Sequence, residues 1–198
     1  MRYIAINTAA PVIELLVVHD DKQHFVSLEK VMAAEQLLPA IDRILEDMRL
    51  EVKNFDDFVC VVGPGSFTGI RIGVNTVRAF EYALKKNAYG VTYNRVMAYN
   101  TIGGVTTFVD GGNGVCYVAV YNGDETVEEP TCIYKKDAEA FRLKHNFAAI
   151  ADYDMGVALY TPNGEALKKA AEYAIKNKLG TEPLYIRKPQ PERKDNDI

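Results

Sequence analysis

Short apolar runs separated by polar turns make up the first part of the chain. Tyr3 to Ile6, Val12 to Val18 and Phe25 to Leu28 are such runs, with turn-forming or charged residues between them. This pattern predicts three strands joined as a meander. Apolar residues then recur at three- and four-residue steps from about Glu35 to Arg49, which predicts a first long helix with Pro39 near its first turn.

A buried strand and a glycine-rich turn come next and lead into a second helix. The continuous apolar run from Phe58 to Val62 is typical of a strand covered on both faces. The run ends within the sequence VVGPGSFTGIRIG, where Gly63 follows Val62. Ser66 or Thr68 is suited to cap a helix that continues to about Lys86. A strand at Tyr89 to Thr92 and a short helix from about Asn94 to Tyr99 follow. The order of elements is therefore βββαβα, with a further strand and helix.

The second half of the chain repeats this order of elements without repeating its letters. Strands are predicted at Gly104 to Val109, Val115 to Tyr121, Thr126 to Tyr134 and Phe147 to Ala151, and helices near Ala138 to His145 and Glu165 to Lys178. We therefore predict an α/β protein of the actin-like ATPase (ASKHA) superfold, with two ribonuclease-H-like βββαβα lobes and mixed sheets. The expected N-terminal lobe covers residues 1–102, a smaller C-terminal lobe covers residues 103–188, and residues 189–198 are predicted to form a disordered tail.

Composition and charge limit the classes of function. The 198 residues are 48% hydrophobic, which is enough for a sizeable core, and the net charge of −4 provides no broad basic field for binding RNA unaided. The three cysteines are widely spaced, which indicates neither a disulfide framework nor a zinc cluster. Polar residues interrupt the apolar residues at the N-terminus, so we expect no signal peptide, no membrane span and a cytoplasmic setting.

The glycine loop does not match the common catalytic motifs. It lacks the Gly-Lys-Ser/Thr of a phosphate loop, its glycines are spaced one residue too far apart for a dinucleotide fingerprint, and Ser66 does not lie in a G-x-S-x-G elbow. What remains is a turn attached to a helix N-terminus, whose free amides can hold an anion.

On the predicted second helix, polar and aromatic side chains share one face beside two glycines one turn apart: Arg71, Asn75, Arg78 and Tyr82, with Gly69 and Gly73. The bare backbone at the glycines predicts close approach of another helix.

Several segments together resemble the signature of the TsaB (YeaZ) family. The loop motif consists of Gly63, Pro64, Gly65, Ser66, Phe67, Thr68 and Gly69, and it continues as IRIG. IAINT from Ile4 to Thr8 is similar to the opening strand of the family, AEQLLPAID from Ala34 to Asp42 to its first helix, and PLYIRKP from Pro183 to Pro189 to its closing segment. This resemblance implies the same actin-like fold and a part in threonylcarbamoyl transfer to the adenosine next to the tRNA anticodon.

The resemblance also implies a role and a set of partners. It implies a non-catalytic scaffold that binds and activates a TsaD-like catalytic subunit, with ATP and a metal expected on that subunit, a TsaE-like ATPase in the complex, and tRNA reached only through the complex. In the family the two helices of the N-terminal lobe pair with the partner as a four-helix bundle, and the same helices can form a homodimer. The residues expected at this interface are Leu37, Ile41, Gly69, Arg71, Gly73, Asn75, Val77, Arg78 and Tyr82. The alternative is that this face packs on the chain's own first helix.

Most of the catalytic equipment of the superfold is missing from the sequence. Asn7 stands where the family usually has an aspartate, so a carboxylate that would anchor a metal or water is lost. Asp110, Gly111 and Gly112 can approach a phosphate or can simply form a turn after a strand, and with Asn7 they make a possible vestigial nucleotide site. The three histidines form no H-x-x-x-H pair, so we expect neither a metal nor a cofactor on this chain.

Two other functions compete with the scaffold. A free-standing ATPase or kinase is the main alternative, because this superfold usually holds a nucleotide between its lobes. A peptidase is the least supported, since Ser66 has no base or metal in its sequence context. The chain also departs from the family pattern at three more positions: Ala33 and Ala34 replace a His-Ser pair, and Arg78 replaces a smaller or uncharged residue.

Overall fold

A computed structural model describes residues 1–187 of the chain. The described strands are β1 Arg2–Asn7, β2 Val12–His19, β3 Lys22–Glu29, β4 Asp57–Gly63, β5 Asn87–Thr92, β6 Gly104–Asp110, β7 Val115–Asn122, β8 Glu125–Tyr134, β9 Ala148–Ala151 and β10 Ala158–Leu159. The described α-helices are α1 Ala33–Met48, α2 Phe67–Leu84, α3 Tyr93–Ala98, α4 Ala138–Lys144 and α5 Gly164–Asn177. The predicted disordered tail at 189–198 lies outside the described residues. No helix within residues 1–187 is long and apolar enough to cross a membrane, and the cytoplasmic setting stays a prediction.

The first five strands form one mixed sheet in the order β3-β2-β1-β4-β5. The predicted meander pairs antiparallel, whereas β4 lies parallel to both β1 and β5. Phe58, Val59, Cys60 and Val61 of β4 are each at most 1% exposed, which agrees with a strand covered on both faces. The continuous apolar run therefore marks an interior strand of this sheet.

The second sheet has the order β10-β9-β6-β7-β8, which is the first order repeated from β8 to β10. This repetition confirms the predicted α/β fold with two ribonuclease-H-like lobes and mixed sheets, although the second half does not follow the predicted βββαβα order throughout. The copies differ after their fourth strand: α2 joins β4 to β5, but residues 152–157 join β9 to β10 without a helix. The two-residue strand β10 was not predicted, because two apolar residues carry no periodicity.

Helix boundaries follow from local chemistry. Ser66, not Thr68, caps α2, since its hydroxyl accepts a hydrogen bond from Gly69 N at 3.2 Å. The first helix begins at Ala33, two residues before the predicted start, so Pro39 lies in its second turn.

Helix α5 belongs to the second half of the sequence but packs on the first sheet. It contacts β1, β2, β4 and β5, and its buried residues share one core with β1 and β2: Leu167, Ala170, Ala171 and Ala174. Tyr3 in β1 also donates a hydrogen bond to Glu172 at 3.3 Å. The main core thus joins the two halves of the chain, and their division into domains at residues 102 and 103 stays a prediction.

A buried arginine also contacts both halves of the chain. Arg95 of α3 is 5% exposed, and its guanidinium lies 3.9 Å from the ring centre of Tyr173 in α5 and 4.7 Å from that of Tyr121 in β7. It also donates hydrogen bonds to Asp124 O at 3.0 Å and to Thr126 Oγ1 at 2.6 Å, in and beside the turn between β7 and β8. Arg95 therefore links both halves by cation–π contacts and hydrogen bonds.

Candidate functional site

A cleft of about 740 Å³ brings the predicted loops together. Its lining comes from the turn after β1 (residues 9–11), the approach to α1 (residues 30–35), the glycine loop (Gly65, Ser66, Thr68 and Gly69), the turn after β6 (residues 110–112) and Asp152. Segments far apart in sequence meet because β1, β4, β6 and β9 all end at this edge of the two sheets. The family loop and the Asp110 turn therefore share one cavity.

Asn7 lies beneath the cleft and builds the first turn. Its side chain is fully buried, and its Oδ1 accepts hydrogen bonds from Ala9 N at 3.1 Å and Ala10 N at 3.3 Å. Its Nδ2 donates to Glu14 at 2.5 Å, and the hydroxyl of Tyr160 donates to the same carboxyl group at 2.6 Å. Burial raises the pKa of Glu14 even though these two hydrogen bonds oppose the shift. An aspartate in place of Asn7 would face the Glu14 carboxyl group, so the asparagine fits this network.

Asp110 already has a cation from its own chain. Lys135 Nζ lies 2.8 Å from its carboxylate, and Gly112 N donates a hydrogen bond to it at 2.8 Å. Burial alone would raise the pKa of Asp110, but the hydrogen bonds from Lys135 and Gly112 and the lysine charge together lower it. The carboxylate that can approach a phosphate is thus already paired with Lys135, which follows β8.

Asp152 has the opposite protonation behaviour. Burial, with a smaller contribution from the charge of Asp110, raises the pKa of Asp152 to about 6. Its Oδ1 accepts a hydrogen bond from Asp110 N at 2.7 Å. Because one carboxyl group stays ionised and its neighbour titrates near pH 6, the pair carries less negative charge than two free aspartates. Within residues 1–187 no group of three or more His, Cys, Asp or Glu side chains is arranged to hold a metal ion.

Lys30 is a cleft residue that the sequence analysis missed. Its Nζ donates to Thr8 O at 2.5 Å and to Ala10 O at 3.1 Å, and burial lowers the pKa of its ammonium group. A lone lysine before a helix gives no sequence signal of this role. The ammonium group of Lys30 is therefore bound to backbone oxygens of the turn after β1.

The glycines of α2 do not present bare backbone to a second helix, which corrects the sequence-based expectation. A Cβ atom at Gly69 would overlap the backbone oxygen of Thr8, and one at Gly73 would lie 2.6 Å from Thr8 Oγ1. Thr8 Oγ1 also donates a hydrogen bond to Gly69 O at 2.7 Å. Both glycines are needed because the turn after β1 passes directly against the helix.

Three apolar residues expected at the interface also face the chain's own core. Leu37 and Ile41 of α1 are each 1% exposed, and Val77 of α2 is fully buried. The outer surface of the two helices instead carries Arg71, Asn75 and Tyr82, with Tyr82 88% exposed. It also carries Leu38, which is 50% exposed and was not predicted. The sequence does contain a signal for the exposed Leu38. Adjacent residues of a helix point in different directions, so when Leu37 faces the core, Leu38 cannot lie on the same buried stripe.

The chain's own C-terminal segment covers part of α2. We call this segment, residues 181–186, the strap. Arg78 Nε donates to Thr181 Oγ1 at 2.9 Å, and Arg71 Nε donates to the hydroxyl of Tyr185 at 3.3 Å. The rings of Tyr185 and Phe67 lie 4.8 Å apart. Part of the PLYIRKP segment therefore lies against the glycine-loop motif, a neighbourhood that sequence patterns did not reveal.

Two sheets of identical strand order around a shared cleft define a chain of the actin-like superfold. A sequence model of the family described as TsaD, tRNA N6-adenosine threonylcarbamoyltransferase, matches residues 32–177. The chain belongs to this family, and its named relatives are TsaB proteins involved in tRNA threonylcarbamoyladenosine biosynthesis.

Three relatives illustrate the range of similarity. The chain is 26% identical over 193 residues to TsaB of Escherichia coli, covering 87% of this chain and 83% of that protein. It is 24% identical over 126 residues to TsaB of Bacillus subtilis, covering 61% and 55% respectively. An uncharacterized protein of Mycobacterium tuberculosis is 33% identical over 129 residues, covering 63% of this chain and 61% of that protein. The chain thus spans about three fifths of the length of its mycobacterial relatives.

Solved structures support the same fold. YeaZ from Pseudomonas aeruginosa superposes with a TM-score of 0.78 at 19% identity, covering 92% of this chain and 98% of that one. The resemblance to the TsaB (YeaZ) family is therefore confirmed by sequence and by fold.

Proposed function

We propose that this chain is a non-catalytic scaffold subunit that binds and activates a TsaD-like catalytic partner. The reaction served is threonylcarbamoyl transfer to the adenosine next to the tRNA anticodon. One observation carries the non-catalytic part: both side chains of the possible vestigial nucleotide site are already bound, Asp110 to Lys135 and Asn7 to Glu14. Groups that are already bound in this way are poorly placed to bind a nucleotide or activate water.

The proposed partner surface is the outer face of α1 and α2. Leu38 and Tyr82 are large side chains at least half exposed, and Arg71 and Asn75 lie on the same side of α2 as Tyr82. Aromatic and arginine side chains surrounded by polar groups are typical of protein interfaces. A TsaD-like subunit is the proposed occupant, and a second copy of this chain is proposed to use the same face. ATP and a metal are assigned to the TsaD-like subunit, and a TsaE-like ATPase and tRNA to the assembled complex.

A binding experiment between purified subunits tests this proposal. The wild-type chain and its Arg71→Glu variant are each titrated in a calorimeter with the TsaD-like subunit of the same organism. The wild type should form a complex, and the charge reversal should weaken it by about tenfold or more, equivalent to ~1.4 kcal/mol. Threonylcarbamoyl transfer to tRNA should then require both chains.

Lys169→Glu is the matched control for the charge reversal. Lys169 is exposed on α5, which packs on the first sheet away from the proposed surface. Binding by this variant should equal that of the wild type. A wild type that forms no complex, or an Arg71→Glu variant that binds as well as Lys169→Glu, would contradict the proposal.

A free-standing ATPase or kinase is the second candidate, because the cleft has a volume typical of small-molecule sites and includes Asp110, Gly111 and Gly112. It requires ATP binding by the isolated chain that Asp110→Ala abolishes. A chain that gives no heat of binding at millimolar ATP rules this candidate out.

A further inference from the structure

We infer that the strap holds Arg71 in place to bind a carboxylate of the protein partner, so that Tyr185 is a positioning residue of the partner surface. This inference rests on the proposed function, and it adds the chemistry of one contact. It also assigns a role to the C-terminal segment, which lies outside the two interface helices.

The strap is a fixed part of the fold. Leu184 N donates a hydrogen bond to Val62 O at 2.8 Å, which ties the strap to the end of β4. A Cβ atom at Gly63 would come within 2.8 Å of Leu184 O, so the first glycine of the loop motif makes room for the strap. Before the strap, Gly90 N donates to Leu179 O at 3.1 Å. Tyr185 is thus carried on backbone that is anchored on β4 and on the edge strand β5.

Arg71 is restrained on two sides. Its guanidinium carbon lies 4.0 Å from the ring centre of Phe67, and its Nε donates to the Tyr185 hydroxyl at 3.3 Å. Among residues 1–187 no acceptor is bound to its two terminal nitrogens and no carboxylate pairs with it. The side chain is exposed, so these nitrogens remain available on the outer face of α2.

This geometry favours a carboxylate as the ligand of Arg71. A guanidinium presents parallel N–H donors that match the oxygens of a carboxylate or a phosphate, and such charge-assisted pairs are the stronger kind of hydrogen bond. A protein carboxylate is the proposed ligand because Arg71 shares its face of α2 with the exposed ring of Tyr82, and arginine beside an aromatic side chain is typical of protein interfaces. A free arginine loses rotamer freedom on binding, whereas one already stacked and hydrogen-bonded loses less. Tyr185 should therefore increase affinity through Arg71 without touching the partner's carboxylate itself.

A double-mutant cycle tests the coupling. Arg71→Ala, Tyr185→Phe and the double variant are titrated with the TsaD-like subunit, using the full chain. We expect Arg71→Ala to weaken binding by roughly 10-fold or more and Tyr185→Phe by about 3-fold. The double variant should bind like Arg71→Ala alone, because the hydroxyl has nothing left to position. Higher salt should weaken the wild type more than Arg71→Ala.

Tyr134→Phe is the matched control, since Tyr134 is 42% exposed and Tyr185 is 38% exposed. It should leave affinity unchanged, and thermal melts should show all variants folded. Additive effects in the double variant, or a Tyr185→Phe variant that binds like wild type, would overturn the role of Tyr185. If the complex forms but Arg71→Ala binds normally, the carboxylate contact is refuted while the scaffold stands. If wild type forms no complex, the proposed function fails and this inference fails with it.

Discussion

At the scale of single residues, the two aspartates of the cleft show how neighbours set opposite protonation states. Asp110 is held ionised by Lys135, whereas Asp152 is partly buried and lies beside that negative charge. Since the pKa of Asp152 is raised from 3.8 to about 6, the folded chain holds an extra proton over that pH range. The associated stability is complete below pH 3.8 and is lost as the pH rises through about 6.

Asp152→Asn should remove this pH dependence. The asparagine oxygen can still accept the hydrogen bond from Asp110 N but cannot ionise. Relative to wild type, the free energy of unfolding of the variant should therefore improve as the pH rises from about 4 to 7, by up to about 3 kcal/mol. Urea unfolding at a series of pH values measures the difference. An equal slope for Asp152→Asn and wild type would contradict the assignment.

Some residue roles could be predicted from sequence and others could not. Ser66 as a candidate helix cap followed from its place before an apolar-periodic helix. The roles of Asn7, Lys30 and Tyr185 could not be predicted, because each depends on contacts with distant or irregular segments. A single sequence gives the type of a side chain but not which turn will face it.

At the scale of elements, α2 is shaped by the turn that passes beneath it. Replacing glycine by alanine inside a helix usually stabilises it by about 1 kcal/mol. At Gly69 the sign should reverse, because the new Cβ would overlap the backbone oxygen of Thr8. We expect Gly69→Ala to lower the free energy of unfolding by about 2–4 kcal/mol, measured by urea unfolding.

Gly73→Ala provides the comparison for that experiment. Its Cβ would meet the Thr8 hydroxyl, a side-chain atom that can rotate away, so the loss should be smaller than at Gly69. A Gly69→Ala variant as stable as wild type would mean that the helix surface is open there. That outcome would restore the original expectation that another helix approaches at these glycines.

Elements with a clear apolar pattern were predictable in type: the continuous run of β4 and the three- and four-residue spacing of α2 are examples. Which elements pack against one another was less predictable. The pattern of α5 gives an apolar stripe of small residues, but nothing in that stripe says that it packs on the first sheet. The glycines of α2 were misjudged for the same reason, because periodicity identifies a stripe without identifying what covers it.

At the scale of the whole molecule, the shared core should make the two halves unfold together. Helix α5 buries apolar residues against strands of the first sheet, and Arg95 joins α3, β7 and α5. We expect one calorimetric transition, with a ratio of van't Hoff to calorimetric enthalpy of about 1. Two resolved transitions would show that residues 1–102 and the remainder are independent domains.

The position of α5 in the sequence has a consequence for synthesis. The strands of the first sheet are complete at Thr92, but the helix that covers one of their faces ends only at Asn177. At ~5–20 residues per second, a ribosome takes roughly ten seconds to add the intervening chain. During that interval the nascent sheet exposes an apolar face, which is the kind of surface that chaperones bind and that proteases reach in stalled chains.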